Sequence, residues 1–485
     1  MSSNQSGADT RVVTTTSELK DALQSAKDGM RIELAPGDYG YVRLTNRAFD
    51  DPVTITSRDP GDRASFVSSV VLRNVEGLHF ENLDVDQASL ASRKGAAIIN
   101  ARDSSDLSFS DMRITGHVPT AEEGADRNLS STSRGEPIEG LGYAGGMEFR
   151  RSDNVTVSNV EFRDLYKAAT LSGKNITLSE SEIHSVREGL NIHEASDILI
   201  ENSYFHGFDP FLREDRGKGG DHPDMIQYWG RGDQSGVQNL TIRDNLFLQT
   251  ADMPWTQTIF GGMKERPASD FTVTGNLIVN GHANAVRLDG VDGFDVSDNL
   301  ILPNDVSATK GLNFSRIYLS PTNKNGTVAD NVVTALSDGT MLNLGEAAQN
   351  SRNIDAEGNL LLSRSSGADN WWGKVLDEVL TDPEAVMSAQ ASYVDQIAAI
   401  LNDGGSYTPP ERDPEPEQPT EPEEPTEPEQ PTEPEQPTEP EQPTAPEQPT
   451  EPEQPTEPEE PTEPEQPTDP DRKIVGGGGD DTMTG

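Results

Sequence analysis

Apolar and polar residues alternate over short stretches through residues 1–410, and most stretches end on an amide or an acid. One unit reads Asp153-Asn154-Val155-Thr156-Val157-Ser158-Asn159-Val160, and the pattern returns at 197–202, 239–245, 270–276, 293–299, 326–331 and 353–359. Its terminal asparagines, from Asn159 to Asn359, stand 23 to 43 residues apart. Period-two alternation marks strands, and a strand of five or six residues with one apolar face cannot bury that face alone. The units must therefore stack, apolar side inward, with the asparagine either in a left-handed turn or in a ladder of stacked amides. This predicts an all-β fold, a right-handed parallel β-helix of about ten coils. A propeller would need four strands in each blade of ~40 residues, more than this recurrence supplies.

Two segments depart from the strand pattern. Ser17 ahead of Glu18-Leu19-Lys20-Asp21-Ala22-Leu23 predicts a capped N-terminal helix closing one end of the stack. Asp382-Pro383-Glu384 predicts a second helix, running to about Asn402 and stopped by Gly404-Gly405. Beyond them the repeat Pro-Thr-Glu-Pro-Glu-Gln, as at Pro431 to Gln436, sets proline at every third position for long stretches. That is the pitch of polyproline II, and sixty such residues reach roughly 190 Å at ~3.1 Å each. We therefore divide the chain into a β-helix domain, 1–408, a disordered polyproline-type linker, 409–472, and a C-terminal segment, 473–485. The last contains Gly476-Gly477-Gly478-Gly479-Asp480-Asp481-Thr482-Met483-Thr484. It resembles the glycine and aspartate nonapeptide of RTX regions, which implies calcium bound by Asp481 once the array is complete, and type I secretion to the exterior.

Charge changes this picture only after it is divided. The chain has 84 acidic and 38 basic residues, a net charge of −46, and no cysteine. Residues 411–470 carry −21 and the last fifteen residues −1, which leaves −24 on residues 1–410. So acidic a chain lacks the basic footprint of a nucleic-acid binder. No run of eighteen apolar residues is present to span a membrane, and Met1 to Thr10 shows neither the basic start nor the apolar core of a secretory signal. Without cysteine there is no disulfide framework and no cysteine nucleophile. We expect a secreted monomer.

Outward residues of successive coils form a ladder that suits a long polymer. Alternation turns Val286 and Leu288 inward and Arg287 and Asp289 outward, and the same logic selects Glu148, Arg150, Asn191, His193, Gln227, Tyr318 and Asn343. The inserts 118–141 and 208–220 would stand beside this face as walls. The densest polar cluster is Asp221-His222-Pro223-Asp224-Met225-Ile226-Gln227-Tyr228-Trp229. Its aromatic faces suit sugar rings, and its polar edges suit hydroxyls or a carboxylate. Candidate substrate contacts are His193, His222, Gln227, Tyr228, Trp229, Asp289 and Tyr318.

Ala35-Pro36-Gly37-Asp38-Tyr39-Gly40, Pro52-Val53-Thr54-Ile55-Thr56-Ser57 and Val70 to Leu78 resemble the first coils of polysaccharide lyase family six, the chondroitinase-B-like and alginate lyases. Ile259-Phe260-Gly261-Gly262-Met263-Lys264 and Ala285-Val286-Arg287-Leu288-Asp289-Gly290 are similar in order and spacing to that family's catalytic segments. The resemblance implies β-elimination on a uronic-acid polysaccharide, alginate-like, with Lys264 as base and Arg287 as acid. A desolvated Lys264 would have its pKa lowered toward that of a working base. The family's calcium-holding acids are missing, since the positions before Lys264 read Trp255-Thr256-Gln257-Thr258. Either His222, Gln227 and His193 replace the metal with hydrogen bonds, or Asp221 and Asp224 hold calcium from a neighbouring coil.

Other chemistries stay open. A glycoside hydrolase would draw a carboxylate pair from Asp221, Asp224, Glu188 and Asp289. A mannuronan C5-epimerase would share the RTX architecture, but Gly207-Phe208-Asp209-Pro210-Phe211 has Phe211 where that class has histidine. A polysaccharide-binding adhesin would use the same groove without reaction. An acidic body that takes a polyanion must concentrate cations in its cleft, around Lys264, Arg266 and Arg287 with Lys218 and Arg231.

Overall fold

The structure is a computed structural model that describes residues 9–361, apart from 128–134, 213–219, 231–235, 264–267, 305–314, 338–348 and 350–351, together with Thr381. The chain divides into two units, Met1–Arg412 and Asp413–Gly485. The expected second helix, the linker, Asp481 and the cations Lys218, Arg231, Lys264 and Arg266 lie outside the described residues, as does Asn343.

Every strand pairing is parallel, and the strands stack on three faces. The front face runs from Val42–Ser57 through Val70–Glu81, Ala97–Arg102 and Gly145–Arg150 to Ala335–Ser337. A second face runs from Thr10–Val13 to Ile354–Asp355, and a third from Gly37–Tyr39 to Leu360–Leu361. This is a parallel β-helix. Its interior is one continuous apolar column in which Phe80 stacks on Phe109 at 5.3 Å and Phe205 on Phe247 at 4.7 Å. Each such side chain contributes about 1.5–3 kcal/mol by leaving water. Coils pack so closely that a Cβ on Gly189 would stand 1.9 Å from the Met225 carbonyl oxygen of the next rung.

The asparagine motif resolves into two adjacent positions. Asn159 and Asn202 adopt the left-handed conformation, with φ of 52° and 48°. From Asn245 onward that role passes to the preceding residue, as at Asp244, Gly275 and Asp298, and the asparagine turns inward. Asn245, Asn276, Asn299, Asn331 and Asn359 then form a ladder in which each backbone N–H donates to the next side-chain oxygen at 3.1 Å. Ser181 and Ser203 continue it toward the N-terminus with hydroxyls. Both readings of the motif are therefore realised, in different coils.

One helix, Thr16–Ser25, is present among the described residues. Its N-cap is Thr15, two residues ahead of the expected Ser17: the Thr15 hydroxyl accepts from the Glu18 N–H, and Glu18 reaches back to Thr14. The spacing Thr15-x-x-Glu18 makes the reciprocal contact, which Ser17 is too close to Glu18 to make. Leu19, Ala22 and Leu23 bury its apolar face in the core.

The described parts of the two inserts pack on each other. Arg127 forms a two-pronged ion pair with Asp209, and Ile138, Leu141 and Phe211 share a small apolar cluster.

Candidate active site

The front face carries the outward ladder in register. Glu148 pairs with Thr170 and Thr170 with Asn191, and the row continues through Gln227, Phe260, Arg287 and Tyr318. A second row, three residues earlier in most coils, holds Lys167, Glu188, Asp224, Gln257 and Asn284. The two residues between the rows both face inward, as at Ala168 with Ala169 and Met225 with Ile226. A cleft of about 1050 Å³ opens along these rows and reaches His222, Trp229 and Asp289.

One wall is set by a buried charge cluster. Arg187, only 2% exposed, donates to Asp221 through Nε at 2.7 Å and Nη2 at 2.9 Å, and Lys94 meets the same carboxylate at 2.9 Å. The Phe211 backbone N–H donates to the second carboxylate oxygen. Burial pushes the Asp221 carboxyl up, but the charges and hydrogen bonds of Arg187 and Lys94 outweigh it and hold the pKa below the ordinary value. The Tyr166 ring fills the space among Lys94, Arg187 and Lys167, with cation-to-centroid distances of 4.1, 5.1 and 5.8 Å. Its hydroxyl donates to Glu188 at 2.7 Å.

Glu188 and Asp224 are neighbours across one rung, each two residues ahead of the paired Leu190 and Ile226. Both are buried. Among the described residues no cation pairs with Asp224, and the Gln257 side-chain amide donates to it at 2.9 Å. Desolvation first, and the Glu188 charge second, raise its pKa well above the ordinary aspartate value and so favour the protonated acid, against the Gln257 hydrogen bond and the Arg287 charge, which lower it. Gln257 also accepts from Asn284 at 3.2 Å, which fixes the amide between the two side chains.

Arg287 lies between two rings, 4.9 Å from the Phe260 centroid and 5.0 Å from that of Tyr318. Its nearest carboxylate, Asp289, is 3.8 Å away, and its buried Nε has no hydrogen-bond partner. With a side chain 30% exposed, the guanidinium is held by stacking and keeps its donors for the cleft.

The structure thus brings Arg287, Asp221, His222, Asp224, Gln227, Trp229 and Asp289 to one cleft. His193 stacks on Trp229 at 4.5 Å in an adjoining depression, and Tyr318 joins through Arg287. Tyr228 is a correction: it is fully buried, packs edge-on against Phe271 at 4.8 Å, and its hydroxyl accepts from the Asp289 backbone N–H. Outward Gln227 and Trp229 on either side require Tyr228 to face in. Lys94, Tyr166, Lys167, Gln257 and Phe260 are cleft residues that sequence reasoning did not select.

The donors do not fit a calcium ion. Both Asp221 oxygens are committed to cations, and no group of three or more His, Asp or Glu side chains suited to a metal occurs among the described residues. Thr256 and Thr258 are buried, while Trp255 is exposed and stacks on His282 at 4.9 Å.

No protein-family model and no curated protein matches the chain. Among solved structures it is similar to an alginate lyase from Paenibacillus sp. str. FPU-7, with 14% identity over 68% of this chain and 98% of that one and a TM-score of 0.38. A PL6 family polysaccharide lyase from Pseudopedobacter saltans shares 14% identity over 74% of this chain and 94% of its own, at a TM-score of 0.42. A GH136 lacto-N-biosidase from Eubacterium ramulus shares 12% over 73% and 68%, at 0.45. Reaction is argued from side chains, since fold does not fix it.

Proposed function

We propose that the chain cleaves a uronate-containing, alginate-like polysaccharide by β-elimination. The observation that carries this reading is Arg287, a cation held between two aromatic rings near one end of the outward row, with an unpartnered Nε, in a β-helix segment, residues 1–410, of net charge −24. An acidic protein that places such a group in its main cleft is equipped for an anionic ligand.

Elimination passes the C5 proton of a uronate to the base, moves the C5–H electron pair into a C4=C5 double bond, and breaks the C4–O bond, whose oxygen takes a proton from water. Arg287 would bind the carboxylate and stabilise the charge that grows on it as the C5 proton leaves. Asp224, whose raised pKa favours the protonated form, would donate a further hydrogen bond to that carboxylate, in place of a metal. Lys264 immediately follows the strand Gln257–Met263 that carries Phe260, and takes the role of base. The proline spacer and the glycine and aspartate nonapeptide support a secreted protein with a calcium-binding RTX region.

One observation favours a second reading, glycoside hydrolysis: Asp224 as acid beside Glu188 on the adjacent rung, whose backbones stand about 4.8 Å apart. The product separates the two. Incubation with alginate, polygalacturonate, chondroitin and polyglucuronate should give ultraviolet-absorbing unsaturated uronate ends in step with new reducing ends. Reducing ends without unsaturation would replace lyase by hydrolase, and binding without either product would leave an adhesin.

A further inference from the structure

Beside the cleft, toward the N-terminal coils, lies a depression of about 330 Å³. Its floor is made of short polar side chains, Thr170, Ser172 and Asn191, where neighbouring rungs carry large ones. Five cations line it against two carboxylates. Lys167 stands on one side, its one carboxylate neighbour among the described residues, Glu188, at 3.9 Å. Arg150 stands on the other, half exposed, with its Nε on Glu148 at 2.7 Å. His193 stacks on Trp229 at the rim toward the cleft, and burial lowers its pKa, so it is a neutral imidazole at pH 7.

We propose that this depression is a carboxylate-binding subsite for a second uronate of the same polymer, held by Lys167 and Arg150 over the short-side-chain floor. It rests on the acidic-polysaccharide reading above and adds a length requirement. Thr170 and Arg287 occupy the same outward row on rungs linked through Asn191, Gln227 and Phe260. Four rung spacings of ~4.8 Å separate them by about 19 Å. A ligand must therefore be an oligomer, anionic at both ends of that span. A polymer with isolated uronates among neutral sugars would fill one subsite only.

The test is affinity electrophoresis of the full chain, run cold through gels containing alginate, polygalacturonate, chondroitin or polyglucuronate, with dextran as the uncharged control. Two variants are compared with the wild type: Lys167→Met with Arg150→Gln, which removes both charges, and Thr170→Phe, which fills the floor and keeps them. At least one polyuronate should retard the wild type, and each variant should bind it about tenfold more weakly. The double variant should also lose about two from the salt slope, as for any polyelectrolyte that releases counterions. A change under about twofold in both folded variants, or no retardation of the wild type by any of the four polymers, would overturn the subsite. Unsaturated product with unchanged variant binding would leave the lyase and remove the subsite. Lysine-dependent binding without product would do the reverse.

Discussion

Replacing Asp221 with alanine tests how the cleft wall is held. The substitution strips Arg187 of two charge-assisted hydrogen bonds, at 2.7 and 2.9 Å, and leaves it one backbone acceptor, Gly142, at 3.2 Å. Lys94 also loses its partner, but it keeps the Tyr166 ring and has some access to water. Arg187 has almost none, so most of the cost comes from a buried guanidinium left unpaired, about 3–5 kcal/mol. Urea unfolding followed by circular dichroism measures it, and the double variant Arg187→Met with Asp221→Leu should recover part of the loss. The acid limb supplies a second reading. Because the folded-state pKa of Asp221 is lowered, its stabilisation is present above the ordinary aspartate range and is lost as pH falls through the lowered value. Stability of the wild type should therefore decline below about pH 4, and Asp221→Ala should decline less steeply. A loss under about 1 kcal/mol, or a double variant as unstable as the single one, would refute the reasoning.

Further outcomes follow from other contacts. Asp224→Asn should retain part of the activity and remove one falling limb from the pH–rate profile: the pKa of Asp224 is raised, and its donor is lost as pH rises through that raised value. Asn276→Ala removes the acceptor of the Asn245 N–H and donors to Ile242 and Thr274, so urea unfolding should register about 2–4 kcal/mol of destabilisation. Gly189→Ala drives a Cβ into the Met225 carbonyl and should fail to yield soluble, β-rich protein by circular dichroism.

The stacking units were legible because a buried strand face must alternate, and Arg287 flanked by Val286 and Leu288 obeyed that rule. The row of Lys167, Glu188 and Asp224 was not, because two successive residues face inward where each coil begins its front strand. A search for polar, apolar, apolar, polar, as in Lys167-Ala168-Ala169-Thr170, would have found it. Tyr228 was misplaced by grouping the aromatics of one segment before applying alternation to them. Lys94 and Arg187 meet at Asp221 from coils distant in sequence, and no local pattern marks that meeting. The Thr15 cap was readable from its glutamate three residues on.

The central claim is that Arg287 and Lys264 carry an elimination. On whichever polyuronate yields absorbance from unsaturated ends, Arg287→Ala and Lys264→Ala should each lower the initial rate by at least about a hundredfold, with folding intact by circular dichroism. Rates within about threefold of wild type for both variants would contradict the account.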